Sequence, residues 1–428
     1  MATLTEGLPL SLEDRFEGAL KTARSTFQTG RTRALQWSIA QLNALKSMLD
    51  EHERAFCSAL YPDLGKSHFE ARYIELDNVR NSCDFFIKNL KKLVKPKSAE
   101  VPWYMKRSTR AKVVAEPLGV CAKSMCLILK QLLPEYLDTQ AVQVLEATRQ
   151  ECAVLLRYKF DKIFWTDSPR IGRIIMEAAA KHLTPVTLEL GGKSPAIIDS
   201  TADISTAARR LAATKWLLNC GQTCIAPDYI LVHSDVTSSF LEALKEALAS
   251  FVSPLLLQNP NNDVEPEPDA QVMPRIFNQE SLDRLQTLLD EVKDSIVFRL
   301  GETDKENLVM APTILLDPPV ESKIMQEEIF GPILQVLQVH SMEEALNFFS
   351  LQSIPFGGVG ESGMGSYHGR YGFDTFSHLK GVVTTEASRD DPIGYPPYTA
   401  KNKAILRACL RNRNMLDVIL IKLGLKTF

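Results

Sequence analysis

Cys224 closes the run Asn219-Cys-Gly-Gln-Thr-Cys224, where Gly221 permits a tight backbone and the apolar pair Ile225-Ala226 follows. A thiol in such a loop is reachable. Attack by a thiolate on a carbonyl needs a lowered thiol pKa or a nearby base, and loop N–H groups can receive the oxyanion that forms. The same residue also reads as a small buried hydrophobe. Glu189 stands in Val186-Thr-Leu-Glu-Leu-Gly-Gly-Lys193, at the end of a strand-like run and before a Gly-Gly turn. Strand ends of parallel sheets face a ligand crevice. Desolvation between Leu188 and Leu190 would lift its pKa toward that of a general base, able to take a proton from the thiol or from water. A surface carboxylate paired with Lys193 is the other reading.

Three further segments could hold a ligand. Ser168-Pro-Arg-Ile-Gly172 opens a helix directly after a strand-like stretch, so its N–H groups form a phosphate cradle, although Ser168 with Pro169 is also an ordinary helix start. Glu327-Glu-Ile-Phe-Gly-Pro332 couples carboxylates to an aromatic ring and a rigid turn, suited to a ribose hydroxyl pair and one face of a nicotinamide, or to a plain solvated acidic loop. Pro355-Phe-Gly-Gly-Val-Gly360 with Ser362-Gly-Met-Gly365 is dense in glycine and serves equally as a pocket wall or a turn.

The elements that must position these residues are legible in part. Phe16, Leu20, Ala23 and Phe27 with a following Gly30 predict an amphipathic helix and its stop; Leu35, Ile39, Leu42 and Leu49 predict a second, and residues 70–92 a third. Residues 91–97 read as a lysine-rich turn and 101–114 as extended chain or a hairpin. From residue 127 onward helices (127–136, 171–182, 207–218) alternate with strands (162–165, 186–190), which means an α/β chain with a mainly parallel sheet. Residues 257–274 form an exposed loop rich in Asn, Asp, Glu and Pro, followed by a helix over 279–292 and a strand over 310–316.

At 428 residues the chain has material for two or three domains, and 45% hydrophobic with 24% charged residues fits a globular protein. Lys and Arg (49) nearly balance Asp and Glu (52), for a net charge of -3, which speaks against a nucleic-acid partner. The eight cysteines contain no C-x-x-C pair, no metal-ligand set stands out, and no signal peptide opens the chain; free thiols in the cytoplasm follow as the expectation. Met415-Leu-Asp-Val-Ile-Leu-Ile-Lys-Leu-Gly-Leu425 is apolar but interrupted by Asp417 and Lys422, too short to span a bilayer. With Arg407, Arg411 and Arg413 beside it, it suits a peripheral membrane contact or a dimer partner.

Thr187-Leu-Glu-Leu-Gly-Gly-Lys193, Gly221-Gln-Thr-Cys224, Glu328-Ile-Phe-Gly-Pro332 and Pro355-Phe-Gly-Gly358 stand in the order seen in aldehyde dehydrogenases, so the chain resembles that family. Ala178-Ala-Ala-Lys-His-Leu-Thr-Pro185, Met325-Gln326 and Gly365-Ser-Tyr-His-Gly369 are similar to the class 3 group, which includes fatty aldehyde dehydrogenase. The resemblance implies a Rossmann-like cofactor domain, an α/β catalytic domain and a small bridging element that makes a homodimer. The bounds expected are 1–187 for a helical lead-in and shortened cofactor domain, 188–365 for the catalytic domain and 366–397 for the bridging element, with an amphipathic tail at 398–428. It also implies NAD(P)-dependent oxidation of an aldehyde to a carboxylic acid, with Cys224 as nucleophile and Glu189 as base. Ser168, Gly172, Leu190, Gly191, Glu328 and Phe330 match positions that hold NAD or NADP, and Phe356 and Gly357 match the pocket near the substrate.

Departures from the family pattern are equally specific. After Glu116-Pro-Leu-Gly-Val120 the family continues through a Trp-Asn-Tyr-Pro loop and a Lys-Pro-Ser-Glu strand end, whereas here Lys123-Ser-Met-Cys126 leads almost at once to the next helix. A strand, a helix and another strand are missing by this reading, and with them a side-chain oxyanion donor and an adenosine-ribose site. A second gap falls between Phe349-Ser350 and Ile354-Pro355, Asp167 stands where the family has glycine, and a Gly-Gly pair is absent near Val144-Leu145. A carboxylate about 4 Å from a phosphate costs about 4 kcal/mol at an effective dielectric of about 20. Weak or absent turnover is therefore expected, and a shortened, non-catalytic relative that pairs with a full-length partner is the alternative reading.

Overall fold

The computed structural model describes residues 11–100, 109–117, 121–122, 127–145, 147–251, 273–341, 343–344, 357–385, 399–408 and 415–425. By contacts the chain divides into two compact units, residues 1–89 with 119–375 and residues 90–118 with 376–428. The expected loop at 257–274, the residues flanking both sequence gaps and Phe356 lie outside the described residues, apart from 273 and 274 in the loop and 121 and 122 at the first gap.

The larger unit begins with helices Leu12–Gln28 and Leu35–Glu51, joined through Gly30 in the left-handed conformation that glycine tolerates. Helix Glu53–Leu64 follows, stopped by left-handed Gly65; its start at His52 carries no side-chain cap, so no capping signal marks it in the sequence. The expected helix over 70–92 is a wide π turn, Ala71–Leu76, running into helix Asp77–Leu93. Apolar faces of these helices meet those of helix Leu127–Tyr136 in a small core of Met48, Leu49, Phe56, Leu76 and Leu133.

Two sheets carry the chemistry. In the first, Cys121–Ala122, Lys162–Thr166 and Val186–Glu189 are parallel neighbours, and Gly363–Met364 adds an antiparallel edge beside Val186–Glu189. Helix Pro169–Ala180 crosses between the last two parallel strands, as a βαβ unit requires. In the second, the order is Pro195–Ile198, Tyr229–His233, Ile333–Val339, Thr313–Leu316, Ile296–Arg299; only the last pair is antiparallel. Helices Ile204–Ala212, Thr237–Phe251 and Gln279–Asp290 supply buried residues to its large core, including Ala208, Leu244 and Leu285, beside strand residues such as Ile230, Ile314 and Val336. Both sheets being largely parallel accounts for the apolar strands Tyr-Ile-Leu-Val-His and Ile-Leu-Gln-Val-Leu-Gln-Val, which alternate little.

The smaller unit holds an antiparallel sheet in the order Lys97–Ala99, Thr109–Pro117, Ser377–Thr385. Helices Ala400–Arg407 and Met415–Lys422 pack on each other through Ala404, Ile405, Ala408, Val418 and Ile421. Among the described residues no helix is long and apolar enough to cross a membrane.

Candidate active site

Strand Val186–Glu189 ends in the Leu190-Gly191-Gly192 turn, and its register decides what Glu189 faces. Phe164 pairs with Thr187 and Thr166 with Glu189, so these four side chains share one face, while Trp165 and Leu188 point to the other. Leu188 enters the core on that other face. Glu189 is only 4% exposed, and its Oε1 has no hydrogen-bond partner. Desolvation alone pushes this carboxyl up to about 7. The alternative pairing with Lys193 does not occur: Lys193 Nζ binds the Asp228 carboxylate, the Ile324 carbonyl at 3.0 Å and the Glu327 carbonyl at 2.8 Å.

Cys224 lies in the turn before strand Tyr229–His233 and is half-buried. Its thiol is held above the ordinary value, first by burial and then by the carboxylates of Glu189 and Glu328; the N–H groups of Cys224 and Ile225 oppose the shift. Cys224 packs against the Gly-Gly turn that follows Glu189: a Cβ on Gly192 would stand 2.6 Å from the Cys224 carbonyl oxygen, and the Ser194 hydroxyl donates to that oxygen at 3.3 Å. Cys220 is fully buried and its thiol is pushed up much further, so it is no competitor as a nucleophile.

The Lys193–Asp228 pair helps to place Glu328. The N–H of Ile329 donates to Asp228 Oδ1 at 2.9 Å, and Arg284 donates to the carbonyls of Ile329 at 2.6 Å and Glu328 at 3.3 Å. So held, Glu328 lies over the Gly-Gly turn, where the Gly192 N–H donates to its Oε1 at 2.9 Å. A Cβ on Gly191 would sit 2.3 Å from Glu328 Oε2, so a side chain there would push the carboxylate from its place. Phe330 follows with φ of 50°, a left-handed conformation costly for a bulky side chain and typical of functional loops.

Ser168 and Gly172 sit at the start of helix Pro169–Ala180. Ser168 does not cap the helix with its side chain; its N–H and hydroxyl both turn to Asp167 Oδ1, at 2.6 and 3.0 Å. A Cβ on Gly172 would meet the Leu190 methyls at 2.8 Å, so this glycine lets helix and strand approach closely. The Leu190 side chain itself belongs to that core contact. Gly357 is pressed against the Gly365 carbonyl, 2.2 Å from where a Cβ would stand.

Tyr367 belongs to the site too, and the sequence assigned it no role. Its ring meets Phe164 edge-on at 5.1 Å, on the face shared with Glu189. Burial foremost, with Glu189 and Cys224 behind it, pushes its phenol well above the ordinary range. The available signal was the Gly365-Ser-Tyr-His-Gly369 run; what it could not show is that Gly363–Met364 pairs with Val186–Glu189 and carries Tyr367 across that strand.

The model of the aldehyde dehydrogenase family matches residues 5–125 and 123–350. This chain belongs to the aldehyde dehydrogenase family. It is 37% identical to aldehyde dehydrogenase family 3 member H1 of Arabidopsis thaliana, covering 94% of this chain and 96% of that one. To family 3 member A2 of Rattus norvegicus it is 35% identical, over 89% and 91%. The first of these alignments runs to 478 positions, more than the 428 residues of the chain, so the relative has residues with no counterpart here. A substrate-bound structure of Staphylococcus aureus AldH superposes with a TM-score of 0.80 at 31% identity, covering 91% of this chain and 98% of that one. An indole-3-acetaldehyde dehydrogenase from P. syringae shares the fold at a TM-score of 0.74 and 19% identity, over 87% and 89%.

Proposed function

We infer that this aldehyde dehydrogenase oxidises aldehydes to carboxylic acids with NAD or NADP, using Cys224 as nucleophile and Glu189 as general base. The observation that carries the assignment is the buried Glu189 carboxyl, with one oxygen unpartnered, at the end of the strand whose Gly-Gly turn packs on the backbone of the half-buried Cys224. Buried acids without partners are costly, and they persist where chemistry uses them.

The residues present fit a dinucleotide. Gly172 permits close helix–strand packing, the helix start has no side-chain cap on its N–H groups, and Glu328 keeps Oε2 beside the Gly-Gly turn. The first turn of the helix would hold phosphate, joined by Ser168 once its N–H and hydroxyl leave Asp167; Gly191 would pass the chain of the ligand, and Glu328 and Phe330 would hold the nicotinamide ribose and ring. The bound cofactor supplies the acceptor for a hydride. In the protein's own steps, Glu189 takes the proton of the Cys224 thiol as Sγ adds to the aldehyde carbon, the N–H groups of Cys224 and Ile225 receive the oxyanion, and Glu189 passes that proton to solvent before it is needed again. Loss of hydride leaves a thioester on Sγ. Glu189 then takes a proton from water as its oxygen attacks the acyl carbon, the C–S bond breaks, and the carboxylic acid departs. The family match over most of the chain supports turnover over the weak or absent activity that the sequence departures predict. Steady-state reduction of NAD and of NADP by purified protein with a panel of aliphatic and aromatic aldehydes tests this, and no reduction by any of them would refute it in favour of the shortened, non-catalytic relative.

Two variants probe the cradle. Gly191→Ala places a methyl on the Glu328 carboxylate, a flexible partner that can move, so the fold survives while cofactor Kd rises at least about tenfold, the cost of a charge-assisted hydrogen bond. Asp167 is exposed, so water screens it and its repulsion of a phosphate is about 1 kcal/mol rather than the larger figure for a drier site. Asp167→Gly should therefore tighten cofactor binding about fivefold, read by fluorescence titration at low salt.

The same reading supports a cytoplasmic homodimer. Strand Ser377–Thr385 is an edge of its sheet and leaves Leu379 and Val383 exposed, a surface suited to a second copy of the chain. Helix Met415–Lys422 leaves Leu416 and Ile419 exposed, which suits either that partner or a membrane surface. By role, the chain divides into a shortened cofactor domain at 1–187, a catalytic domain at 188–365, a bridging element at 366–397 and a tail at 398–428.

A further inference from the structure

Three consecutive residues upstream of the nucleophile, Asn219, Cys220 and Gly221, have φ of 51°, 53° and 74°. Only the third is a glycine, so two residues with side chains are held in a conformation they disfavour. Something outside the turn must hold it. A Cβ on Gly221 would stand 2.5 Å from the Gly331 carbonyl, so the turn is pressed against the segment that carries Glu328 and Phe330. Gln222 is fixed on both sides: its Nε2 donates to the carbonyls of Arg275 at 2.8 Å and Asn219 at 3.1 Å, and its Oε1 accepts from the Phe277 N–H at 3.0 Å. Asn219 Nδ2 donates to the Gln222 carbonyl at 2.6 Å.

The remaining anchor comes from far away in the sequence. Glu70, 8% exposed, sits in the turn His68–Glu70, where its own N–H donates to Ser67 Oγ at 3.2 Å. Its Oε1 accepts the backbone N–H of Asn219 at 2.7 Å, across 149 positions of chain. We propose that Glu70 is a positioning residue for the nucleophile, holding the left-handed Asn219–Gly221 turn through the Asn219 amide and so fixing where Cys224 presents its sulfur. Glu70 touches neither substrate nor cofactor. A carboxyl oxygen is a strong acceptor for one buried N–H, and its place just after helix Glu53–Leu64 joins the helices at the start of the chain to the nucleophile's turn. The inference rests on Cys224 being the nucleophile.

The test compares Glu70→Gln, which still accepts the hydrogen bond, with Glu70→Met, which fills similar space and cannot. Full-length protein is treated with iodoacetamide, and labelling of Cys224 is followed by peptide mass spectrometry alongside kcat and KM. Expected is a fall of about ten- to a hundredfold in kcat and in Cys224 labelling for Glu70→Met, with KM little changed, and values within about threefold of wild type for Glu70→Gln. Adding Asn219→Gly to Glu70→Met should recover much of the loss, because glycine takes the left-handed conformation freely. Wild-type labelling and kcat in a folded Glu70→Met would overturn the proposal, as would equal losses in both variants or no recovery with Asn219→Gly. If Glu70→Met does not fold, hydrogen exchange at the Asn219 amide decides: unchanged protection in Glu70→Ala relative to wild type overturns the proposal, and lost protection supports it. Full turnover in Cys224→Ser would instead overturn the functional reading, leaving the labelling comparison intact.

Discussion

Cys224→Ala should abolish aldehyde-dependent reduction of the cofactor, a loss of roughly 10⁴-fold or more, since no other group can form the covalent intermediate. Cofactor affinity should stay near wild type, because the cradle is built from the helix start at Ser168, the Gly-Gly turn and Glu328 rather than from the thiol. Cys220→Ala is the matched control. That side chain is fully buried in the same turn with a thiol far less able to ionise, and alanine adds no steric demand at its φ of 53°, so activity should persist. A Cys224→Ala enzyme that still reduces NAD with an aldehyde would move the chemistry elsewhere.

Glu189→Gln should lower turnover by about 10²- to 10⁴-fold, the usual contribution of a positioned base, and should do so at the hydrolytic step. The thioester then accumulates instead of turning over. In the wild type, Glu189 works as the anion, and burial sets its proton affinity near pH 7. Turnover should rise about tenfold per pH unit below that point and level off above it, with this limb missing in Glu189→Gln. Stability should move the opposite way. The folded protein holds this proton up to about 7, whereas an unfolded glutamic acid releases it near its ordinary value of 4.5. Stability from this group is thus fully present at acid pH and is lost as pH rises through about 7. Glu189→Gln, neutral throughout, should melt above wild type at pH 8 and match it more closely at pH 5. An acid kept buried at a cost to stability is what a catalytic base looks like.

Much of this site is readable from residue types alone. Glu189 and Cys224 announce themselves because a Gly-Gly turn after a strand and a glycine-containing loop before one are local patterns. Gly172 and Gly191 are likewise legible as glycines, yet their reasons are not: one clears the Leu190 methyls and the other clears Glu328, a residue more than 130 positions away. Helices with regular apolar spacing, such as Leu12–Gln28 and Leu35–Glu51, fall where the periodicity places them. The π turns Ala71–Leu76 and Ala213–Leu217 do not, since a local widening of the helix leaves little mark on a 3.6-residue pattern. Helix Arg149–Leu155 carries a capping box at Thr148 and Glu151, a signal present in the sequence but attached to only seven residues, too few for a periodic pattern. Tyr367 and Glu70 are not legible as site residues in the sequence because both reach the site through pairings across long stretches of chain, one by a strand at the edge of a sheet and the other by a single hydrogen bond to a left-handed turn.

The central claim is that an acyl group passes through the sulfur of Cys224 with Glu189 preparing the water that releases it. Acid-quenched Glu189→Gln, taken after incubation with an aldehyde and the oxidised cofactor, can be digested and weighed peptide by peptide. The account predicts a mass increase of one acyl group on the peptide containing Cys224, approaching one per chain, with reduced cofactor formed in equal amount. Reduced cofactor without an acylated Cys224, or an acyl group on any other residue, would contradict it.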